Sequence, residues 1–191
     1  MTALNTIAKE ATVTSKGLMT GIDSTARLVP SDKKGIRFHL GDKTVEAHVD
    51  NVVSTEHCTV IGNQDIKVML IEHFMAACAI CHIEAIDVYL SHFEMPILGG
   101  GSAEWVEIFK EAGNMAQESY ILTQPVSYFN GKTHIVVMPS DEFKVTYSVN
   151  FNHPELNHRW VSLDKDKLNE IIEARTFGYL KAVSYTHLRA H

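Results

Sequence analysis

The 191-residue sequence holds three cysteines only, Cys58, Cys78 and Cys81. So few, and an odd number, exclude the disulfide framework of a small secreted domain; a reducing compartment, the cytoplasm, is the expected location. A basic excess is also missing, since 17 Lys and Arg stand against 23 Asp and Glu for a net charge of −6. That balance excludes a general nucleic-acid binder, which carries a basic stripe. No apolar run approaches the roughly 18 residues of a membrane-spanning helix, so no transmembrane segment is expected. The opening nine residues lack the apolar core of a signal peptide. What remains, 45% hydrophobic and 21% charged, is the composition of a globular protein with one medium domain or two small ones.

Cys78-Ala79-Ile80-Cys81 has the spacing of a redox or zinc pair. Redox chemistry needs an accessible, low-pKa thiol, and zinc needs further ligands at matching spacing. No second cysteine pair exists, so these are expected to be small apolar residues of a packed helix.

Histidine is abundant, at eleven residues. His39, His48, His92 and His134 fall in strand-like or loop contexts and are expected at the surface. His73 differs, because it follows Glu72 inside an apolar run over 68–80 that reads as one helix. A helix apolar on every side is buried, and a buried carboxylate needs a partner. The residues leave two readings open. One is a core histidine hydrogen-bonded to its neighbour; the other is a metal-ligating imidazole with Glu72 placed to take a proton from metal-bound water.

Along the chain, alternation predicts strands over 11–15, 35–40 and 44–49, with turns at 17–21 and 41–43. A strand near 58–61 leads to the apolar helix, and 84–90 forms another strand. The glycine-rich turn 96–101 runs into Ser102, a predicted N-cap for a helix whose apolar face carries Trp105, Val106, Ile108, Phe109 and Ala112, ended by Gly113. Further strands are predicted at 126–129, 133–138 and 143–151. A helix over 163–175 is predicted next, with Asp164 as its cap and Leu168, Ile171 and Ile172 facing a core. The expected fold class is α+β: duplicated two-layer sheet/helix sandwich domains over 1–117 and 118–182, the second incomplete, with a non-native tail at 183–191.

Several segments, in order, resemble one family. Gly17-Leu18-Met19-Thr20-Gly21 is similar to a Gly-Leu-His-Ser/Thr-Gly turn, with Met19 in place of histidine. Cys58-Thr59 resembles the strand before a metal helix, and Ile71-Glu72-His73-Phe74-Met75-Ala76-Ala77 resembles Val-Glu-His-Leu-Met-Ala-Ala. Glu94-Met95-Pro96-Ile97-Leu98, then Gly101-Ser102-Ala103, resembles Glu-x-Pro-Ile-Leu-Asp-Gly-Ser-Ala, with Gly99-Gly100 in place of the aspartate. Phe151-Asn152-His153-Pro154 and Ala174-Arg175-Thr176-Phe177-Gly178 complete the series. Together they resemble the bacterial UDP-3-O-acyl-N-acetylglucosamine deacetylases, zinc hydrolases of lipid A synthesis.

The resemblance implies a UDP-sugar acyl substrate and a Zn2+ cofactor. It implies His73 as a zinc ligand, Glu72 as general base and Thr176 as hydrogen-bond donor to the oxyanion, with Phe177 and Cys58 at the substrate. The family's remaining ligands, spaced His-x-x-x-Asp, follow the Ala-Arg-Thr-Phe-Gly motif and are absent here, so the chain alone is expected to be inactive. His187 and His191 have the spacing of a helical zinc pair, but they sit at a terminus without resemblance to the family and are set aside. His153, beside Pro154, is expected to make a structural hydrogen bond. Two alternatives compete: a small-molecule kinase with a phosphate loop at 96–103, and an inert, non-enzymatic fragment.

Overall fold

A polar residue at every second position makes a strand that buries one face, and this pattern builds the main sheet. The computed structural model describes residues 4–113, 122–149 and 158–175. Thr176, Phe177, His153 and the stretch 183–191 lie outside them. The chain divides into two compact units, Met1–Glu118 with Ile172–His191, and Ser119–Ile171.

In the first unit, β1 (Ala11–Lys16), β2 (Asp23–Pro30), β3 (Gly35–Leu40), β4 (Lys43–Glu46) and β8 (Ala85–Leu90) form a five-stranded sheet in the order β1-β2-β8-β3-β4. Only β3 and β8 run parallel; the other pairs are antiparallel. Register places Ala26, Leu28, Ile36, Phe38, Val45, Ile86, Val88 and Leu90 on one buried face. A second sheet, β5-β6-β7, joins Val52–Ser54, Val60–Gly62 and Lys67–Met69.

Two helices supply the second layer, α1 (Glu72–Ile80) and α2 (Ala103–Ala112). Phe74 of α1 meets Phe38 of β3 and both Trp105 and Phe109 of α2 edge-on, at 5.1–5.8 Å between ring centroids. This aromatic contact joins sheet to helices, and the result is an α+β, two-layer arrangement.

The structure corrects several expectations. A strand over 23–30, absent from the expected set, does alternate in burial, with Ser24, Ala26 and Leu28 sharing the buried face. The apolar run 68–80 is not one helix: Val68 and Met69 end β7, and α1 begins at Glu72. Nor is α1 buried all round, since Ala76 and Ala79 are exposed and Glu72 and His73 half-buried. Ser102 makes no side-chain cap; its hydroxyl donates instead to the Ile172 carbonyl at 3.4 Å. Gly113 does end α2, with φ +77°.

His39 is not a surface residue. Its ring bonds Asp87 at 2.7 Å and Thr44 Oγ1 at 2.9 Å and stacks on Tyr89 at 4.4 Å. Arg37 donates to both Asp87 oxygens, at 2.8 and 3.1 Å. Burial alone would raise the Asp87 carboxyl, but hydrogen bonds from Arg37, His39 and Ser31 win and hold it well below the usual carboxylate range. A depressed folded-state value stabilises the fold above the unfolded value of about 3.9, and that stability is lost as the pH falls below it. Asp87→Asn is therefore expected to cost about 2 kcal/mol in urea unfolding at neutral pH. The gap to the unaltered chain closes as the solution is acidified below about pH 4; a gap that stays constant with pH would refute the assignment.

In the second unit, β9 (Val126–Phe129) pairs with β10 (His134–Val137), and β11 (Lys144–Val149) with β12 (Arg159–Asp164). The predicted helix over 163–175 is shorter: β12 runs to Asp164, a 3-10 turn follows, and α3 spans Leu168–Glu173. Asp164 does cap that turn, accepting from the Asp166 and Lys167 N–H groups at 3.2 and 3.3 Å. Leu168, Ile171 and Ile172 are half-buried, and of the three Ile172 packs against the hydrophobic core of the first unit, as expected.

Candidate active site

The approach to α1 places the Glu-His pair. β7 ends at Met69, and Leu70 turns the chain with φ +65°, a left-handed conformation that costs a leucine of order 1–3 kcal/mol. Leu70 is held there by burial and by its N–H bond to the Thr59 carbonyl at 3.1 Å. Such strain persists only where the surroundings over-determine it, and it clusters at functional sites. Three residues after β7 the helix starts, with Glu72 and His73 in its first turn.

The first-turn position suits Glu72, because unpaired N–H groups and the helix dipole favour negative charge there. Its Oε2 accepts from the Thr59 N–H at 3.0 Å, so the carboxylate is tied to the residue just before β6. Thr59 thereby bonds to Leu70 through its carbonyl and to Glu72 through its amide, and it fixes both sides of the turn. Cys58, its neighbour, is buried. Burial pushes the Cys58 thiol up, the nearby Glu72 and Glu94 charges add to that, and a hydrogen bond with the Leu70 backbone opposes it. Cys58 is thus a neutral, buried thiol close to both carboxylates.

Burial likewise raises the thiols of Cys78 and Cys81, which removes the thiolate that a redox pair requires. The expectation that they pack as small apolar residues holds for Cys78; Cys81 is half-buried.

A second group of motif residues meets elsewhere in the first unit. Gly101 pairs with Arg175 in an antiparallel bridge, which brings the Gly-Ser-Ala and Ala-Arg segments together. Beside it lies a cleft of about 380 Å3 lined by Gly99, Gly101, Glu104, Ile172 and Arg175 among others. Glu72, His73 and Cys58 do not line it. The Glu104 carboxylate folds back over Gly99, filling the space that a side chain there would need. A negative group thus sits on the glycine turn where the kinase reading would require a phosphate.

The metal expectation meets a specific limit. His73 is the nitrogen donor that zinc takes. Among the described residues, however, no three or more His, Cys, Asp or Glu side chains come together as a metal-holding group. The described residues thus do not by themselves make a three-ligand site.

The chain matches a family profile, that of UDP-3-O-acyl N-acetylglycosamine deacetylase, over residues 4–190. The chain belongs to this family. The match extends past Gly178, the end of the last of the resembling segments. Similar proteins carry the name UDP-3-O-acyl-N-acetylglucosamine deacetylase. One from Syntrophotalea carbinolica is 34% identical over 193 residues, covering 95% of this chain and 62% of that protein. One from Geotalea uraniireducens is 33% identical, covering 93% and 62%. A third, from Leptospira biflexa, is 35% identical, covering 96% and 65%. The chain therefore spans less than two thirds of the length of these deacetylase relatives. Glu72 and His73 sit in one helical turn, whereas the hydrogen bonds made by Glu94 and Thr59 emerge only from the structure. Glu94 opens the Glu94-Met95-Pro96-Ile97-Leu98 segment that resembles the family.

Proposed function

We propose that a full-length protein carrying this chain is a zinc-dependent, cytoplasmic hydrolase that removes acetate from a UDP-3-O-acyl-N-acetylglucosamine substrate in lipid A synthesis. One observation carries the reading: Glu72, oriented by the Thr59 N–H, stands beside His73 in the first turn of α1 within a chain of the deacetylase family.

His73 would serve as one zinc ligand. Zinc, when bound, lowers the pKa of its water towards about 7 and polarises a carbonyl. Glu72 is the general base: Thr59 fixes its Oε2, and its Oε1 takes the proton from the attacking water. Thr176 donates to the oxyanion, Phe177 contacts the sugar and acyl chain, and Cys58 forms part of the wall beside Glu72. Because no three His, Cys, Asp or Glu side chains gather as a metal-holding group among the described residues, the 191-residue chain alone is expected to hold zinc weakly and not to turn over.

Metal analysis and an acetate-release assay test this together. The full-length protein is expected to retain zinc through purification and to lose activity on chelation, while His73→Ala lowers zinc content well below one per chain. Release of acetate that survives exhaustive chelation would overturn zinc dependence. Stoichiometric zinc and turnover by the 191-residue chain would overturn its inactivity. The small-molecule kinase reading finds no support in the family comparison, and Glu104 over Gly99 opposes it electrostatically.

A further inference from the structure

We infer that Glu94 is a positioning residue of this site: its buried carboxylate, and not the side chain at position 19, holds the 17–21 turn against the strand that delivers Glu72. The inference rests on Glu72 and His73 being the active site.

Glu94 is fully buried, at 0% exposure. A carboxylate so placed is costly unless hydrogen bonds compensate it. All of the compensation found comes from one turn. Met19 N–H donates to Oε1 at 2.7 Å, and the N–H and hydroxyl of Thr20 donate to Oε2 at 2.9 and 2.6 Å. Bonds to an ionised acceptor are roughly twice as strong as neutral ones. Gly17 packs on the same carboxylate so closely that a Cβ there would collide with Oε2. The Gly21 N–H to Gly17 carbonyl bond, 3.0 Å, closes the turn around the acid.

The backbone of Glu94 faces the other way, towards the catalytic helix. Glu94 forms a parallel bridge with Met69, flanked by Met69 N–H to Phe93 O at 2.9 Å and Met95 N–H to Met69 O at 3.0 Å. Met69 is the last residue of β7, and Leu70, Ile71 and Glu72 follow it directly. One residue therefore joins the tip of the turn to the root of α1. The root of the turn has separate anchors: Ile97 N–H to Lys16 O at 3.0 Å and Leu98 N–H to Ser15 Oγ at 3.3 Å. Loss of the Glu94 carboxylate thus frees the tip while β1 and the sheet keep their pairing.

Position 19 contributes only its amide to this clamp, and the Met19 residue is 41% exposed. That explains how the turn keeps its form although methionine stands where the family carries histidine.

The test combines amide exchange on the 191-residue chain with kinetics on the full-length protein, using Glu94→Gln, Thr20→Val and Met19→Ala. In Glu94→Gln the amides of Met19 and Thr20 are expected to exchange at least about tenfold faster while those of β1 and α1 are unchanged. In the full-length protein KM then rises about tenfold with kcat within about twofold, a split that a purely structural residue would not produce. Thr20→Val, which keeps both backbone donors and loses the hydroxyl, gives a smaller rise in both readouts, and it carries the test should Glu94→Gln not fold. Met19→Ala leaves the exchange rates at their original values. Unchanged amides in Glu94→Gln and Thr20→Val, or deprotected amides in Met19→Ala, would overturn the clamp. Deprotected amides with unchanged KM would overturn its role at the site. Absence of deacetylase activity in the unaltered full-length protein would instead sink the functional reading, with exchange still deciding the clamp.

Discussion

Glu72→Gln in the full-length protein is expected to lower kcat for acetate release by about 10²–10⁴-fold, the usual contribution of a positioned general base, with zinc content unchanged. The amide is isosteric and keeps an oxygen able to accept the Thr59 N–H at 3.0 Å, so the first turn of α1 keeps its geometry. What it loses is a group that can take a proton. Metal analysis beside steady-state kinetics makes the distinction. A variant with full kcat would show that Glu72 is not the base; parallel loss of zinc and rate would show that it supports the metal instead.

The largest effect on stability is expected one residue beyond the pair. Phe74→Ala should destabilise the first unit by about 3–5 kcal/mol, the range for deleting a large aromatic side chain from a core. Phe74 is 0% exposed and makes edge-on ring contacts with Phe38, Trp105 and Phe109. Few other side chains could refill that space, because its neighbours are held on a strand and a second helix. Such a loss is a large fraction of the stability of a typical domain, and urea unfolding followed by tryptophan fluorescence reads it directly through Trp105. Phe93→Ala, at a residue 41% exposed, should change stability by no more than about 0.5 kcal/mol. A cost below about 1 kcal/mol for Phe74→Ala would mean that the sheet and helices are not packed through this ring.

Much of the sheet was legible before any coordinates. The strands at 35–40 and 85–90 each carry a polar row against an apolar row, and period two survives in the sequence. β2 did not announce itself, because serine and alanine can be buried beneath a helix without raising local hydrophobicity. β5 and β7 are three residues long, too short to show any period. The run at 68–80 misled for another reason. Strand, turn and helix are all apolar there, so composition does not change where the conformation does, and the break falls at a leucine with positive φ rather than at a glycine. His39 was misplaced because its partner Asp87 lies 48 residues away, beyond the reach of any local pattern.

The candidate site divides along the same line. Adjacent residues, Glu72 with His73, carry their chemistry in their identity and need no fold to be noticed. Family membership, too, rests on order and spacing along the chain. The bonds around the candidate site join residues separated along the chain: Thr59 to Glu72 across 13 positions, and Met19 to Glu94 across 75. Local sequence thus dictated which side chains could do chemistry and which strands could bury a face. Folding alone decided which carboxylate is buried beneath a turn and which stays half-buried at the start of a helix, because burial and hydrogen-bond partners belong to neighbours in space.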